Sequence, residues 1–201
     1  MYMADQREIE RWCKNPDKLL TVGTMVLCSI RQPWVGVGIQ VQDVKQNGSA
    51  STCLWGWKRA GYIYLRDNRV EMYRKVRQYR AGKLELGDLI RVFLKVPGLG
   101  LAKAGFMCQL LVGEAGCLDT HNVERFGLTP GDWLIRSYVS PSKQAREIDD
   151  KIELYLSLCH LCGGSRKLWD EWCEYLNDTN SSFESADDVS RRHVSYLKEN
   201  Y

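Results

Sequence analysis

No stretch of this 201-residue chain is apolar over the roughly 20 residues that a bilayer-spanning helix requires, so no membrane segment is expected. The opening Met1-Tyr2-Met3-Ala4-Asp5-Gln6-Arg7-Glu8 lacks the apolar core of a signal peptide, which makes the cytoplasm the expected compartment. Internal repeats and low-complexity tracts are missing too, which excludes a solenoid or a compositionally biased segment. A disulfide framework is also lacking. The eight cysteines (Cys13, Cys28, Cys53, Cys108, Cys117, Cys159, Cys162 and Cys173) are scattered through apolar stretches without the spacing of a small stapled domain, so they read as buried reduced thiols. Cys159 and Cys162 lie one helical turn apart in an apolar helix, which core packing explains. Cys173 brings the C-terminal set to three soft ligands where a cluster would need four. No metal is expected.

What is present is an ordinary globular composition, 44% hydrophobic and 26% charged, long enough for one substantial domain or one domain with a helical extension. The net charge of +3 hides a split. Residues 1–146 carry 22 Lys/Arg against 13 Asp/Glu, and residues 147–201 carry 6 against 12. The first part is thus suited to meet a polyanion and the acidic tail to turn away from it.

Hydrophobic periodicity is mostly helical. A short amphipathic helix is expected over 5–14, with Ile9, Trp12 and Cys13 on one face. Residues 19–44 mix helix and strand preferences, and Pro33 would stop a helix at Gln32. A loop is expected over 46–51. Residues 59–83 read as a pair of helices, one striped by Ala60, Ile63, Tyr64 and Leu65, the other by Val70, Tyr73, Val76 and Tyr79. Between Arg66 and Lys83 there are seven basic residues against two acidic ones, either a solvated face or a surface for phosphates. A helix follows over 86–94. Further on come a short helix at 122–126, a turn at 129–131 and acidic helices at about 144–162, 165–176 and 186–199. The change of character at Ser140-Pro141 divides an expected core, residues 1–140, from an acidic helical C-terminal lobe, residues 141–201. That break divides either two domains or two lobes of one domain.

The chemistry concentrates at Val96-Pro97-Gly98-Leu99-Gly100, where an amphipathic helix ends and another begins at once. Glycines there permit a tight hairpin and bring bare backbone close to a partner. The amides of Gly98, Gly100 and Leu101 would face outward at a helix N-terminus, where unpaired N–H groups and the helix dipole favour an anion such as a DNA phosphate. Lys103 adds charge in the first turn. Downstream lies Ala115-Gly116-Cys117-Leu118-Asp119-Thr120-His121-Asn122-Val123.

Together these segments resemble the helix-hairpin-helix (HhH-GPD) DNA glycosylase superfamily of the endonuclease III and adenine-glycosylase type. There, a hairpin "LPGVGxxTA" is followed by a Gly/Pro loop and "VDTHV". Residues 96–100 match the hairpin, 113–116 the loop and 118–122 the aspartate motif. Leu27-Cys28-Ser29-Ile30-Arg31-Gln32 is loosely similar to the early "LxSxQT" helix, and Lys58-Arg59-Ala60-Gly61-Tyr62 to the helix before the hairpin. The resemblance covers roughly residues 25–135 and is strongest over 94–123.

The resemblance implies an all-α, glycosylase-like helical bundle that binds double-stranded DNA through Pro97, Gly98, Leu99, Gly100, Leu101, Lys103 and His121. Asp119 would face the sugar of an extruded nucleotide, stabilising an oxocarbenium-like sugar or activating a nucleophile. An Asp before Thr-His-Asn is also common as a helix N-cap, though the hairpin upstream favours the catalytic-type role, and His121 fits phosphate contact, orientation of Asp119, or a capping or structural role. The departures narrow the chemistry. Bifunctional members carry a Schiff-base lysine where this chain has Ala102; Lys103 falls one residue late, about 100° round the helix. The iron–sulfur array is absent, so no cofactor is expected. Such a pattern is similar to the phage proteins of the α-glutamyl/putrescinyl thymine pyrophosphorylase-like group. These would displace diphosphate from an activated 5-hydroxymethyl base with an amine or amino-acid co-substrate, in the host cytoplasm. Monofunctional base excision is the neighbouring reading, and a catalytically inactive DNA-binding protein, structural or regulatory in a phage, is the alternative. Trp34, Trp55 and Trp57 suit base stacking or the core. His160 and His193 read as ordinary helix residues.

Overall fold

The computed structural model describes residues 9–32, 36–129, 131, 133 and 141–179, with side chains from 146 to 175 in the last segment. Trp34, Pro33, His193, Ser140 and the helix expected over 186–199 lie outside them, as does part of the turn expected at 129–131. Among the described residues the fold is all-helical, without a strand.

A helical turn at 9–12 precedes α1, Pro16–Cys28. Asn15 caps α1 by accepting the Lys18 N–H at 2.9 Å, and Pro16 opens it, where the missing N–H of proline costs nothing. From Thr21 to Cys28 every residue is buried, so α1 is apolar all round, as a central helix must be. Thr21 and Thr24 tolerate burial because their hydroxyls donate to Asp17 O and Leu20 O, at 3.1 and 2.8 Å. The helix stops at Cys28, four residues before the stop expected at Gln32. Around it pack α2 (Val37–Asn47), α3 (Trp57–Arg80) and α5 (Leu101–Val112). α2 runs on to Asn47 with a short 3-10 turn at Gly48–Ala50, where a loop was expected from Gln46.

Residues 57–80 form one 24-residue helix, not the expected pair. Its buried positions, Tyr62, Leu65, Met72 and Val76, keep helical spacing throughout, and no Pro or Gly interrupts it after Gly61. Val70, assigned to a stripe from sequence, is 64% exposed. α4 (Leu86–Leu94) follows and packs on both α3 and α5. The second central helix is α5, buried continuously from Ala104 to Val112.

Beyond a loop at 113–119 come α6 (Thr120–Arg125), α7 (Pro141–Leu161) and α8 (Gly164–Thr179). α7 lies against α4 and α8, and α8 against α6. Ile152, Tyr155, Cys159, Leu168, Trp169 and Cys173 join the same hydrophobic core as α1 and α5. Arg80 ties three segments: its guanidinium donates to Glu10 O (3.0 Å), Cys13 O (3.4 Å) and Leu111 O (2.6 Å). The eight cysteines are free thiols, all buried but the half-buried Cys53. No helix among the described residues is long and apolar enough to cross a membrane.

Candidate functional site

The hairpin lies between α4 and α5, at residues 95–100. The Val96 N–H donates to Phe93 O and the Leu99 N–H to Val96 O, each at 3.0 Å. Val96, Leu99 and Leu101 are buried and pin the turn to the core, while Gly98 and Gly100 are exposed. Gly98 has φ +86°, a region side chains avoid. A Cβ there would also lie 2.0 Å from Trp57 Cε3, so the bare backbone of the hairpin rests on the Trp57 indole. Gly61 makes the same allowance on α3: its Cβ would meet Pro97 O at 2.5 Å. Gly100 differs. It is the N-cap of α5 in extended geometry, with nothing within 4 Å of its missing Cβ. No side chain caps the helix. Its bonded amides begin with Lys103 and Ala104, both on Gly100 O at 3.1 and 2.9 Å. The positive end of a 12-residue helix therefore emerges beside an exposed glycine.

Lys103, one residue into that first turn from Ala102, is half-buried and folds back. Its Nζ lies 3.7 Å from Cys117 Sγ and 5.3 Å from the Phe106 ring centroid. Burial pushes the Cys117 thiol up to about 12, the Lys103 ammonium pulls it down, and the Asp119 carboxylate raises it by charge and hydrogen bonding. Lys103, Cys117 and Asp119 are thus one cluster, joining the hairpin helix to the aspartate motif. Asp119 is half-buried and caps α6, accepting the Asn122 N–H at 3.3 Å. Asp119 thus combines the N-cap role with an interaction with the Cys117 thiol.

Three devices hold the loop that carries Asp119. Gly113 ends α5 in the left-handed region, and Ala115 follows at φ +60°, a conformation costing about 1–2 kcal/mol without glycine. Tyr155 of α7, fully buried, donates its hydroxyl to Gly116 O at 2.5 Å and accepts the Leu118 N–H at 3.2 Å. Gly105 admits that contact, because a Cβ there would meet Gly116 O and Tyr155 Oη, each at 2.5 Å. Asn122, also fully buried, donates through Nδ2 to Cys117 O (2.7 Å) and Leu168 O (3.4 Å), leaving its Oδ1 without a partner.

His121 stacks on Tyr175 of α8, with centroids 3.8 Å apart; its buried Nε2 has no hydrogen-bond partner. Arg125 extends the link to α8 by pairing with Glu171 at 2.6 Å and Glu174 at 3.5 Å. Lys167 holds the buried Glu171 at 2.5 Å, and hydrogen bonds first from Lys167 and then from Arg125 keep its carboxyl below the usual range. The acids of α8 are therefore not all turned to solvent. Some anchor the helix that Asp119 caps.

The basic stripe on α3 is partly consumed internally. Arg66, Arg69 and Arg74 pair with Asp67, Asp17 and Glu71, and Arg80 with carbonyl groups. Arg59 and Arg77 are exposed. Lys58, at the start of α3, is fully buried; its Nζ donates to Cys28 O at the C-terminus of α1 (3.3 Å) and lies 5.1 Å from the Trp55 ring centroid. Burial draws its pKa down, and the negative end of the α1 dipole offsets part of that cost.

Of the residues singled out from sequence, Lys103 and Asp119 both meet the Cys117 thiol, Gly98 and Gly100 form the turn before α5, and His121 packs on Tyr175 of α8. Asn122 and Lys58 lie within the segments matched from sequence, but nothing there marked either as buried; Cys117 stands just before the aspartate motif, and Tyr155 belongs to no motif. No protein-family model, curated protein or solved structure matches the chain.

Proposed function

We propose that this protein is a helix-hairpin-helix, glycosylase-like enzyme. It binds double-stranded DNA through the hairpin at residues 95–101 and acts on an extruded nucleotide with Asp119. The observation that carries the reading is the cluster in which Lys103, from the first turn of the hairpin helix, and Asp119 flank one thiol, Cys117. Amides at an uncapped helix start would hold phosphate, and the Asp119 carboxylate, which shares the Cys117 thiol with Lys103 of that helix, would meet the charge that develops at the reacting centre.

Two chemistries fit. In excision, Asp119 stabilises the sugar cation as the base departs and water attacks. In base modification, an amine or amino acid attacks the methylene of an activated 5-hydroxymethyl pyrimidine. There the C–N bond forms, the C–O bond to diphosphate breaks, and Asp119 takes the proton that the amine loses. Lys103 is tied back toward Cys117, and Ala102 occupies the position of the family's Schiff-base lysine, so neither chemistry uses a lysine nucleophile.

A second reading, a DNA-binding protein without catalysis, is favoured by one observation: the Asp119 carboxylate is already engaged as the α6 N-cap. Titration of the protein with duplexes, followed by nucleoside mass spectrometry, separates the two. The duplexes would contain uracil, mismatched adenine, alkylated bases or diphosphorylated hydroxymethyluracil with amines. Binding with conversion of one substrate supports the enzyme, and binding without conversion supports the second reading. Absence of salt-sensitive duplex binding removes both.

A further inference from the structure

Trp55 stands outside the cluster at Asp119 and outside the turn itself, yet the hairpin reaches it through one residue. The Gly98 backbone lies on the Trp57 indole, and Trp57 meets Trp55 edge-on, with centroids 5.8 Å apart at 61°. Trp55 is 42% exposed, among the few large apolar side chains that the fold leaves open. Its position is nonetheless fixed. The buried Lys58 ammonium lies over its ring at 5.1 Å, and Gly56, at φ +53°, turns the chain sharply between the two tryptophans. Since Lys58 is fully buried, it meets the ring from the protein side, while 42% of Trp55 is left to solvent. An aromatic ring held in place and open on one side loses little freedom on binding a flat partner. Arg59, exposed in the first turn of α3 and four residues along the chain from Trp55, supplies positive charge.

We propose that Trp55 is a stacking platform for a nucleobase displaced from the duplex, so that the hairpin face is selective for DNA with an unpaired or extruded base. The inference rests on the DNA-binding reading above and adds the class of DNA bound. A flat, apolar, electron-rich ring, with an exposed arginine four residues along the chain, suits a base with its phosphate. An intact duplex, whose bases are stacked internally, gains nothing from it. Lys58 acts here as a positioning residue that holds the indole from behind.

The test compares three probes by fluorescence anisotropy: a 20-mer duplex, the same duplex with one bulged 2-aminopurine, and the single strand. Wild type is expected to bind the bulged duplex about tenfold tighter than the intact one, with quenching of the 2-aminopurine as it stacks on the indole. Trp55→Ala and Trp55→Leu should lose both the preference and the quenching, while affinity for intact duplex changes less than twofold; Trp55→Phe should restore most of the preference. Far-UV circular dichroism and melting identify a variant that has failed to fold, in which case Trp55→Phe against Trp55→Leu decides. Equal wild-type affinity for bulged and intact duplexes would overturn the platform and leave DNA binding standing. So would a Trp55→Leu variant that keeps the tenfold preference. If no probe binds at all, the DNA reading and the platform fall together.

Discussion

Lys103 Nζ reaches Cys117 Sγ at 3.7 Å, across a gap of fourteen residues, and so fastens the first turn of α5 to the loop that ends in Asp119. The contact explains why Lys103 is half-buried when a helix-start lysine would ordinarily extend into water.

The two exposed hairpin glycines should separate stability from binding. Gly98→Ala places a Cβ at φ +86° and into the Trp57 ring, and is expected to cost about 2 kcal/mol or more. Gly100→Asp puts a carboxylate at an open, extended N-cap, where a few tenths of a kcal/mol of added stability is the expected result. Yet the same carboxylate would occupy the amides that a phosphate needs, so duplex affinity should fall at least about tenfold. Urea titration and gel shift check the two halves. Gly100→Asp with undiminished affinity would argue against the phosphate cradle.

Tyr155→Phe removes one hydroxyl that serves two buried backbone groups, Gly116 O and Leu118 N–H. A loss of about 1–3 kcal/mol is expected, because both are left unpaired away from water. Helical content should persist, as Tyr155 braces a loop. A neutral result in a thermal melt would mean that the loop re-forms without its brace.

Stability should decline at alkaline pH. Burial pushes the Cys13, Cys28 and Cys117 thiols from the usual 9.0 up to about 12, and Cys108 and Cys159 further still. Groups raised in the folded state contribute stability that is complete below the unfolded pKa and is lost as pH climbs through the folded one. The window therefore opens near pH 9 and extends past 12. Lys58, drawn down by burial, acts in the opposite direction, its contribution growing up to the usual 10.5, but it is one group against five. The urea midpoint should drop steadily between pH 8.5 and 11; a flat profile would contradict the burial of the thiols. At pH 8, a thiol reagent should reach the half-buried Cys53 first.

The parts of the fold that could be read in the sequence are those where local chemistry and tertiary structure agree. α4, the hairpin and α5 follow from an amphipathic run, a Pro-Gly turn and an apolar run, each of which settles its own backbone. From sequence, residues 59–83 read as two helices because Ile63 and Tyr64 suggest one stripe and Val70 with Tyr73 another; the structure has one, Trp57–Arg80. Only packing against α1, where Gly23 allows Leu65 to approach, decides which face is inward. Asp119 was visible through its motif, whereas Tyr155 was not, since its partner is a backbone carbonyl 39 residues away. A lysine such as Lys58 is ordinarily taken for surface. Nothing local announces that it will cap the end of α1.

The last prediction concerns Asp119 itself. Asp119→Asn should leave α6 capped, because asparagine is as good an N-cap as aspartate and its side-chain oxygen can still accept the Asn122 N–H now held at 3.3 Å. Folding should therefore survive, with a melting temperature within a few degrees of wild type. DNA affinity should hold or rise slightly, since one negative charge near phosphates is removed. Turnover behaves differently. A fixed charge beside a developing sugar cation, or a base that takes a proton from an attacking amine, matters chiefly in the transition state. Conversion of the base should accordingly drop at least about a hundredfold. The cluster adds a discriminating readout: with the carboxylate neutralised, one of the influences raising the Cys117 thiol disappears. Cys117 should then react faster with iodoacetamide above pH 8 in Asp119→Asn than in wild type, whether or not the enzyme turns over. Unchanged turnover in a folded Asp119→Asn protein, with faster Cys117 alkylation, would place Asp119 in the cluster and strip it of the catalytic role.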